Sequence, residues 1–287
     1  MSDHSNVTVR PSDSRWARWA LLLILAVSFA VRLHRLEAKS LWTDEGLTFQ
    51  RAKQPLGLIL KNQNLIPIGP NYYDGTEMEV VATPDVHPPL YFLFMHVWMR
   101  FVGQSEFALR FPSVMASTLA LPLFFALGSA LLSKEAGLWA ALLAAFSPFY
   151  TWHAQEARMY AWVVLLGAAS VYTFLPLLRD TSRSRDYFTY VVTTSALLYT
   201  HYSGFLLLAF EVAVYAVFQS RKRLMAVLIV LAVLTLVLTP LVPYARRVLN
   251  LSLVGFVSRP LPTLLAEAWS YFSLGISESL VRPFSQT

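Results

Sequence analysis

Apolar runs dominate this chain, and their lengths decide what it can fold into. A helix that crosses the hydrocarbon core of a bilayer needs roughly 17–25 mostly apolar residues. Runs of this kind, some a little shorter, recur at Trp16–Leu33, Phe111–Leu132, Glu135–Tyr150, Met159–Leu178, Tyr187–Thr200, Tyr202–Phe218 and Leu224–Tyr244. The reading is an all-α polytopic membrane protein with about seven transmembrane helices. Trp16, Trp19, Trp152, Tyr187 and Tyr244 sit near the ends of runs, where a headgroup layer holds aromatic rings.

Composition agrees with that reading. Of 287 residues, 56% are hydrophobic and 14% charged, against about 25% charged in a soluble domain. The formal charge of +6 comes from short basic clusters between apolar runs, the pattern that orients a membrane protein. Nucleic-acid binding is therefore not expected. The chain has no cysteine, which excludes disulfides, thiol catalysis and thiolate metal sites. The first run follows Arg10, Arg15 and Arg18, with no small-residue cleavage site after it, so it reads as a retained helix.

Orientation turns on one stretch, Pro88 to Val102, which is short for a span and contains His96 and Arg100. If it lies on the membrane surface, the basic loops Arg179–Arg185 and Arg221–Arg223 share a side with the basic N-terminus. If it spans, both move to the other face. Cytoplasmic loops carry the Lys/Arg excess, so the stretch is expected to be an interfacial amphipathic helix. The expected organisation is a polar cytoplasmic tail over 1–15 and a transmembrane module over 16–244. That module includes a long external loop over 34–110. Residues 245–287 form an external or re-entrant C-terminal segment. The protein would sit in the cytoplasmic (inner) membrane, with its active site facing the periplasm or cell exterior.

Polar residues gather on that outer side. Asp44 and Glu45 lie about ten residues beyond the first helix; a carboxylate there can act as a general base or help to hold a divalent cation. An acidic dipeptide taken alone is more often merely solvated. His87 precedes Pro88 and Pro89, which suit the first turn of a helix, so its imidazole would be held rigidly near the base of the loop. Gln155, Glu156 and Arg158 occupy the short connection between two spans, Arg110 begins another, and His201 and Tyr202 end a third. Arg158 can snorkel to headgroups or clamp a phosphate with its planar fork. Arg259 lies in the segment beyond the last span. Scattered snorkelling does not predict such convergence on one face. Glu211, within a span, is by default a functional candidate, although a hydrogen bond to a neighbouring helix explains it more simply.

With these residues placed, the sequence resembles the GT-C membrane glycosyltransferases. The similarity is to glycosyltransferase family 39, which includes protein mannosyltransferases and aminoarabinose lipid A transferases. It runs from about residue 30 to 205 through RLHRLEAKSLWTDE, HPPLYF, SEFALRFPS, SPFYTWHAQEARMYA and YTHYSG. The resemblance implies a polyprenyl-phosphate-linked sugar donor, a protein, lipid or glycan acceptor, an external active site and inversion at the anomeric carbon. It implies that Asp44, with Glu45 beside it, is the acidic position of the first external loop. His87 and Arg110 then match the HPP and RFPS signatures, Gln155, Glu156 and Arg158 the second external loop, and His201 and Tyr202 the THY motif. Arg158, Arg110, His201 and Arg259 would face the lipid phosphate as its charge grows. Some GT-C enzymes use a divalent cation, and the sequence leaves that open. Family members commonly continue past the seventh helix, whereas this chain stops at Thr287, so a compact or truncated form is expected. Two other classes stay in view: a lipid-linked sugar flippase or transporter, suggested by Glu211, and an inactive membrane partner, suggested by the short C-terminus.

Overall fold

A computed structural model of the chain describes residues 14–61, 63–68, 79–84, 87–179, 181–218 and 224–243, with isolated positions 246, 262, 265, 266 and 269. It is helical apart from one small hairpin. Helix α1 is Ser14–Leu33, followed outside it by α2 (Thr43–Lys53) and the short α3 (Leu56–Leu60). Strands β1 (Gln63–Ile68) and β2 (Glu79–Pro84) pair antiparallel, with Gln63 opposite Pro84 and Ile68 opposite Glu79. Then come α4 (Leu90–Val102), α5 (Glu106–Leu131), α6 (Lys134–Phe146), α7 (Pro148–Ala154) and α8 (Tyr160–Phe174), the last ending in a 3-10 turn over Leu175–Leu178. Helices α9 (Ser184–Thr200), α10 (Gly204–Phe218) and α11 (Leu224–Leu238) complete the bundle.

Among the described residues, three helices are long and apolar enough to cross a membrane: Arg15–Leu33, Glu106–Leu131 and Tyr160–Leu178. Leu90–Val102, Gly204–Phe218 and Met225–Leu241 are shorter apolar helices. The expected span Glu135–Tyr150 is broken at Ser147, whose side chain accepts from the Tyr150 amide and starts a new helix at Pro148. Proline at a first helical position loses no hydrogen bond there, so the Ser-Pro step restarts the helix cheaply. The helical bundle agrees with the all-α expectation, and the hairpin is a small feature within the 34–110 loop.

Helix α5 is the central element, packed against α1, α6 and α8. It carries Pro112, which cannot donate to the carbonyl of residue 108. Trp98 on α4 takes that place: its Nε1–H donates to Ala108 O at 2.8 Å. The indole thus repairs the proline's defect and ties α4 to the start of α5. Tyr91, Phe92, Met95 and Met99 of α4 are buried against Ala52 and Ile59, while Phe101 is 84% exposed. Burial of this helix is one-sided, and its exposed side carries Val97, Phe101 and Val102, which are apolar too.

Helices α5 and α6 approach closely at Gly128 and Gly137. A Cβ at Gly128 would stand 2.7 Å from Gly137 Cα and 2.9 Å from Gly137 N, both backbone atoms that cannot swing aside. Gly128→Ala should therefore lower stability by about 1–3 kcal/mol through overpacking, seen as a lower melting temperature in detergent. Between α8, α9 and α10, Glu211 is buried. It accepts from Ser170 Oγ at 3.0 Å and from Tyr190 Oη at 2.8 Å, and Ser170 meets Thr194 at 2.9 Å. This is the helix-to-helix hydrogen bonding that the simpler reading of Glu211 expects.

Candidate active site

The site begins with α2. Asp44 and Glu45 occupy its first turn, where the helix dipole favours negative charge. The two carboxylates go to different places. Glu45 shares the inward stripe with Thr48, Arg51 and Ala52, all buried, and is 1% exposed. Arg110 grips it with two parallel bonds, Nε to Oε1 at 2.8 Å and Nη2 to Oε2 at 2.7 Å. The Ala157 amide donates to Oε1 at 2.8 Å, and the Trp42 amide to Oε2 at 3.2 Å. Burial pushes the Glu45 carboxyl up, but the Arg110 hydrogen bond, the Ala157 amide, the Arg110 charge and the Trp42 amide together outweigh it. The net position is below the ordinary carboxylate value.

Both Glu45 oxygens are thus committed within the protein. Arg110 is committed too: Nη1 donates to Leu36 O and Lys39 O at 2.8 Å each, and Nη2 to Ser40 O at 3.2 Å. This pair staples the segment after α1 to α5 and to the α7–α8 connection. Gln155 does similar work, its Nε2 donating to Arg32 O at 3.0 Å and His34 O at 3.1 Å. Those carbonyls end α1, where no helical amide remains to bond them. Glu156 accepts from Trp152 Nε1 at 2.6 Å and from His153 Nδ1 at 2.9 Å. Four residues expected at the site therefore serve as its frame.

Asp44 is different. Its side chain is 37% exposed, with Oδ2 3.6 Å from Arg158 Nη2. The buried Arg158 also donates from Nη1 to Asp44 O and Thr48 Oγ1, each at 3.2 Å, while its own carbonyl accepts from Ser113 Oγ. The guanidinium lies 5.6 Å from the centre of the Tyr160 ring. Tyr160 faces His201 at 6.3 Å between ring centres and His153 at 4.8 Å; His201 faces His87 at 5.8 Å. One open cluster therefore joins α2, the start of α4, the α7–α8 connection and the α9–α10 turn. Tyr202 is half-buried in that turn. Arg259 lies outside the described residues. Among the described residues, no group of three or more His, Asp or Glu side chains is arranged to hold a metal ion.

Three supporting residues escaped the sequence reading. Arg51 lies 3.7 Å from the centre of the Phe92 ring and donates to His87 O at 3.3 Å, which fixes the His-Pro-Pro turn. Arg32, fully buried on α1, bonds Ser28 Oγ and donates to Ala145 O at 3.0 Å and Ala144 O at 3.3 Å. It serves the carbonyls stranded at the α6–α7 break. Tyr160 floors the cluster. An arginine inside an apolar run is costly unless it is bonded, and that was the available signal for Arg32.

The fold resembles a solved structure, the archaeal oligosaccharyltransferase AglB from Archaeoglobus fulgidus in complex with an inhibitory peptide and a dolichol-phosphate. The TM-score is 0.57 at 18% identity, over 78% of this chain and 30% of that one. The chain thus spans under a third of that protein's length. No curated protein matches the chain. Residues 86–245, more than half of the chain, match the family described as dolichyl-phosphate-mannose-protein mannosyltransferase. The chain belongs to that family, and with it to the GT-C glycosyltransferases that its motifs resemble.

Proposed function

We propose that the chain transfers a sugar from a polyprenyl-phosphate donor to an acceptor hydroxyl or amide at the extracytoplasmic face of the membrane, inverting the anomeric carbon. The observation that carries this is Asp44, a half-exposed carboxylate beside Arg158 and on the same cluster as His87 and His201. Family membership supports a lipid-linked sugar donor, and the dolichol-phosphate and peptide named with the AglB structure favour a protein acceptor. A lipid or glycan acceptor of the cell envelope is the other outcome.

In this mechanism Asp44 accepts the acceptor's proton as the acceptor atom attacks the anomeric carbon. The bond from that carbon to the phosphate oxygen breaks on the opposite face, which inverts the centre. The lipid phosphate departs with the bonding electrons, and its growing charge is met by Arg158. The isoprenoid tail stays between helices in the bilayer. This reading takes seven spans with a cytoplasmic N-terminus, in the inner membrane. It is supported by the outer ends of α1, α5, α8 and α9 meeting at the cluster and by the basic loop Arg179–Arg185 at the other end of α8 and α9.

The test is transfer by purified protein from a labelled polyprenyl-phosphate sugar, mannose first, to peptide and envelope acceptors. Native protein should transfer the sugar, and Asp44→Ala should not, while melting at the same temperature. Full activity in the variant would remove Asp44 from its role; no transfer by the native chain would remove the activity.

A further inference from the structure

We propose that His201 meets the donor's phosphate as a neutral imidazole that donates from Nε2–H, its tautomer fixed by the α9–α10 turn. This rests on the donor class proposed above, but the tautomer rests on the turn alone.

The Ser203 backbone amide donates to His201 Nδ1 at 3.1 Å. A backbone N–H can only donate, so Nδ1 must present its lone pair. The Ser203 hydroxyl lies 2.9 Å from the same nitrogen and, with Nδ1 bare, can share that lone pair as a donor. In a neutral ring with Nδ1 bare, the proton resides on Nε2. Forming the imidazolium would set one N–H against another.

The turn cannot easily relax to allow that. His201 N donates to Leu197 O at 2.9 Å, and Gly204 N to His201 O at 3.2 Å. Gly204 is packed so closely that a Cβ there would lie 2.8 Å from Leu197 Cγ. Two groups facing the ring from other elements oppose a positive charge as well, His87 before α4 and Arg158 in the α7–α8 connection. The neutral Tyr160 ring at the start of α8 also faces it. Burial first, then His87 and Arg158, lower the His201 value from the ordinary histidine range.

A histidine built this way is neither the cation nor the proton source at the leaving group. It is a neutral hydrogen-bond donor, and the fixed positive charge is left to Arg158. His201 should therefore add no step of its own to lipid-phosphate binding at about pH 6.5, where an unperturbed histidine titrates. The step from the phosphate's own second ionisation, at about pH 6, should be the same in native protein and in His201→Gln.

Two readouts test this. In the full-length protein with 15N-labelled histidine, the signal that His201→Gln removes should show the Nε2–H pattern and titrate below the ordinary histidine value. An Nδ1–H pattern, or an imidazolium forming near the ordinary value, would overturn the proposal. The second readout is affinity for undecaprenyl phosphate in micelles. His201→Gln, whose amide nitrogen reaches the Nε2 position, should bind within a few-fold of native, whereas His201→Asn and His201→Ala should bind about 10- to 100-fold more weakly, the worth of a hydrogen bond to a charged group. Equal losses in the Gln and Asn variants would overturn the phosphate contact. If native protein does not bind the lipid phosphate at all, the donor class fails and takes the contact with it, while the labelled-histidine result still decides the tautomer.

Discussion

Glu45→Ala is expected to cost about 3–5 kcal/mol, the penalty for breaking a buried ion pair and leaving one charge uncompensated. Arg110 would lose its bidentate partner at 4% exposure, and the amides of Ala157 and Trp42 would lose their acceptor. The three carbonyls held by Arg110 would remain, but the residue joining them to α2 and to the α7–α8 connection would be gone. Thermal melting in detergent should show the loss, and limited proteolysis should cut the 34–110 loop sooner. Acid should reproduce the effect in native protein. The Glu45 value is lowered in the folded state from an ordinary 4.5, so its contribution is complete above that pH and is lost as the pH falls through the lowered value. Glu45→Ala should lack that part of the acid dependence. An Ala variant that melts like native yet cannot transfer sugar would instead make Glu45 a chemical participant.

The contrast between neighbours explains how far the sequence could be read. Asp44 and Glu45 were visible as an acidic pair beside a membrane surface, but a pair has no inside or outside until its helix is placed. Thr48, Arg51 and Ala52 stand four, seven and eight residues after Asp44 and three, six and seven after Glu45, so helical spacing keeps both carboxylates near the buried stripe. Only the placement of Arg110, Ala157 and Arg158 around α2 separates them. Arg110, Gln155 and Glu156 belonged to the right motifs and reached the right end of the bundle. The partners of Arg110 and Gln155, however, are backbone carbonyls far away in the chain, such as Leu36 O and His34 O, which no local pattern announces. Glu156, by contrast, takes Trp152 and His153 from the preceding helical turn. Run length found the three helices long enough to cross a membrane, because a bilayer selects long apolar helices whichever face meets the protein. It missed the break at Ser147 because both sides are apolar, and it missed the hairpin because β1 and β2 are far apart in sequence, at 63–68 and 79–84.

Asp44→Asn should cut turnover about 10²- to 10⁴-fold, the usual worth of a positioned general base, and leave the fold intact. The side chain is 37% exposed and its contact with Arg158 is 3.6 Å long, so losing the charge forfeits only a weak pair. Arg158 keeps its bonds to Asp44 O and Thr48 Oγ1, so the loss of stability should stay at about 1 kcal/mol or less. The carboxamide has the shape of the carboxylate but cannot take a proton, so the loss should fall on kcat and barely touch KM for the lipid donor. Asp44→Glu supplies the complementary arm. It restores the base but moves it by one methylene, and a misplacement of about 1 Å can still cost on the order of 10²-fold. If Asn slowed transfer no more than Glu did, position rather than basicity would be what Asp44 provides, and the acceptor's proton would have to leave by another route.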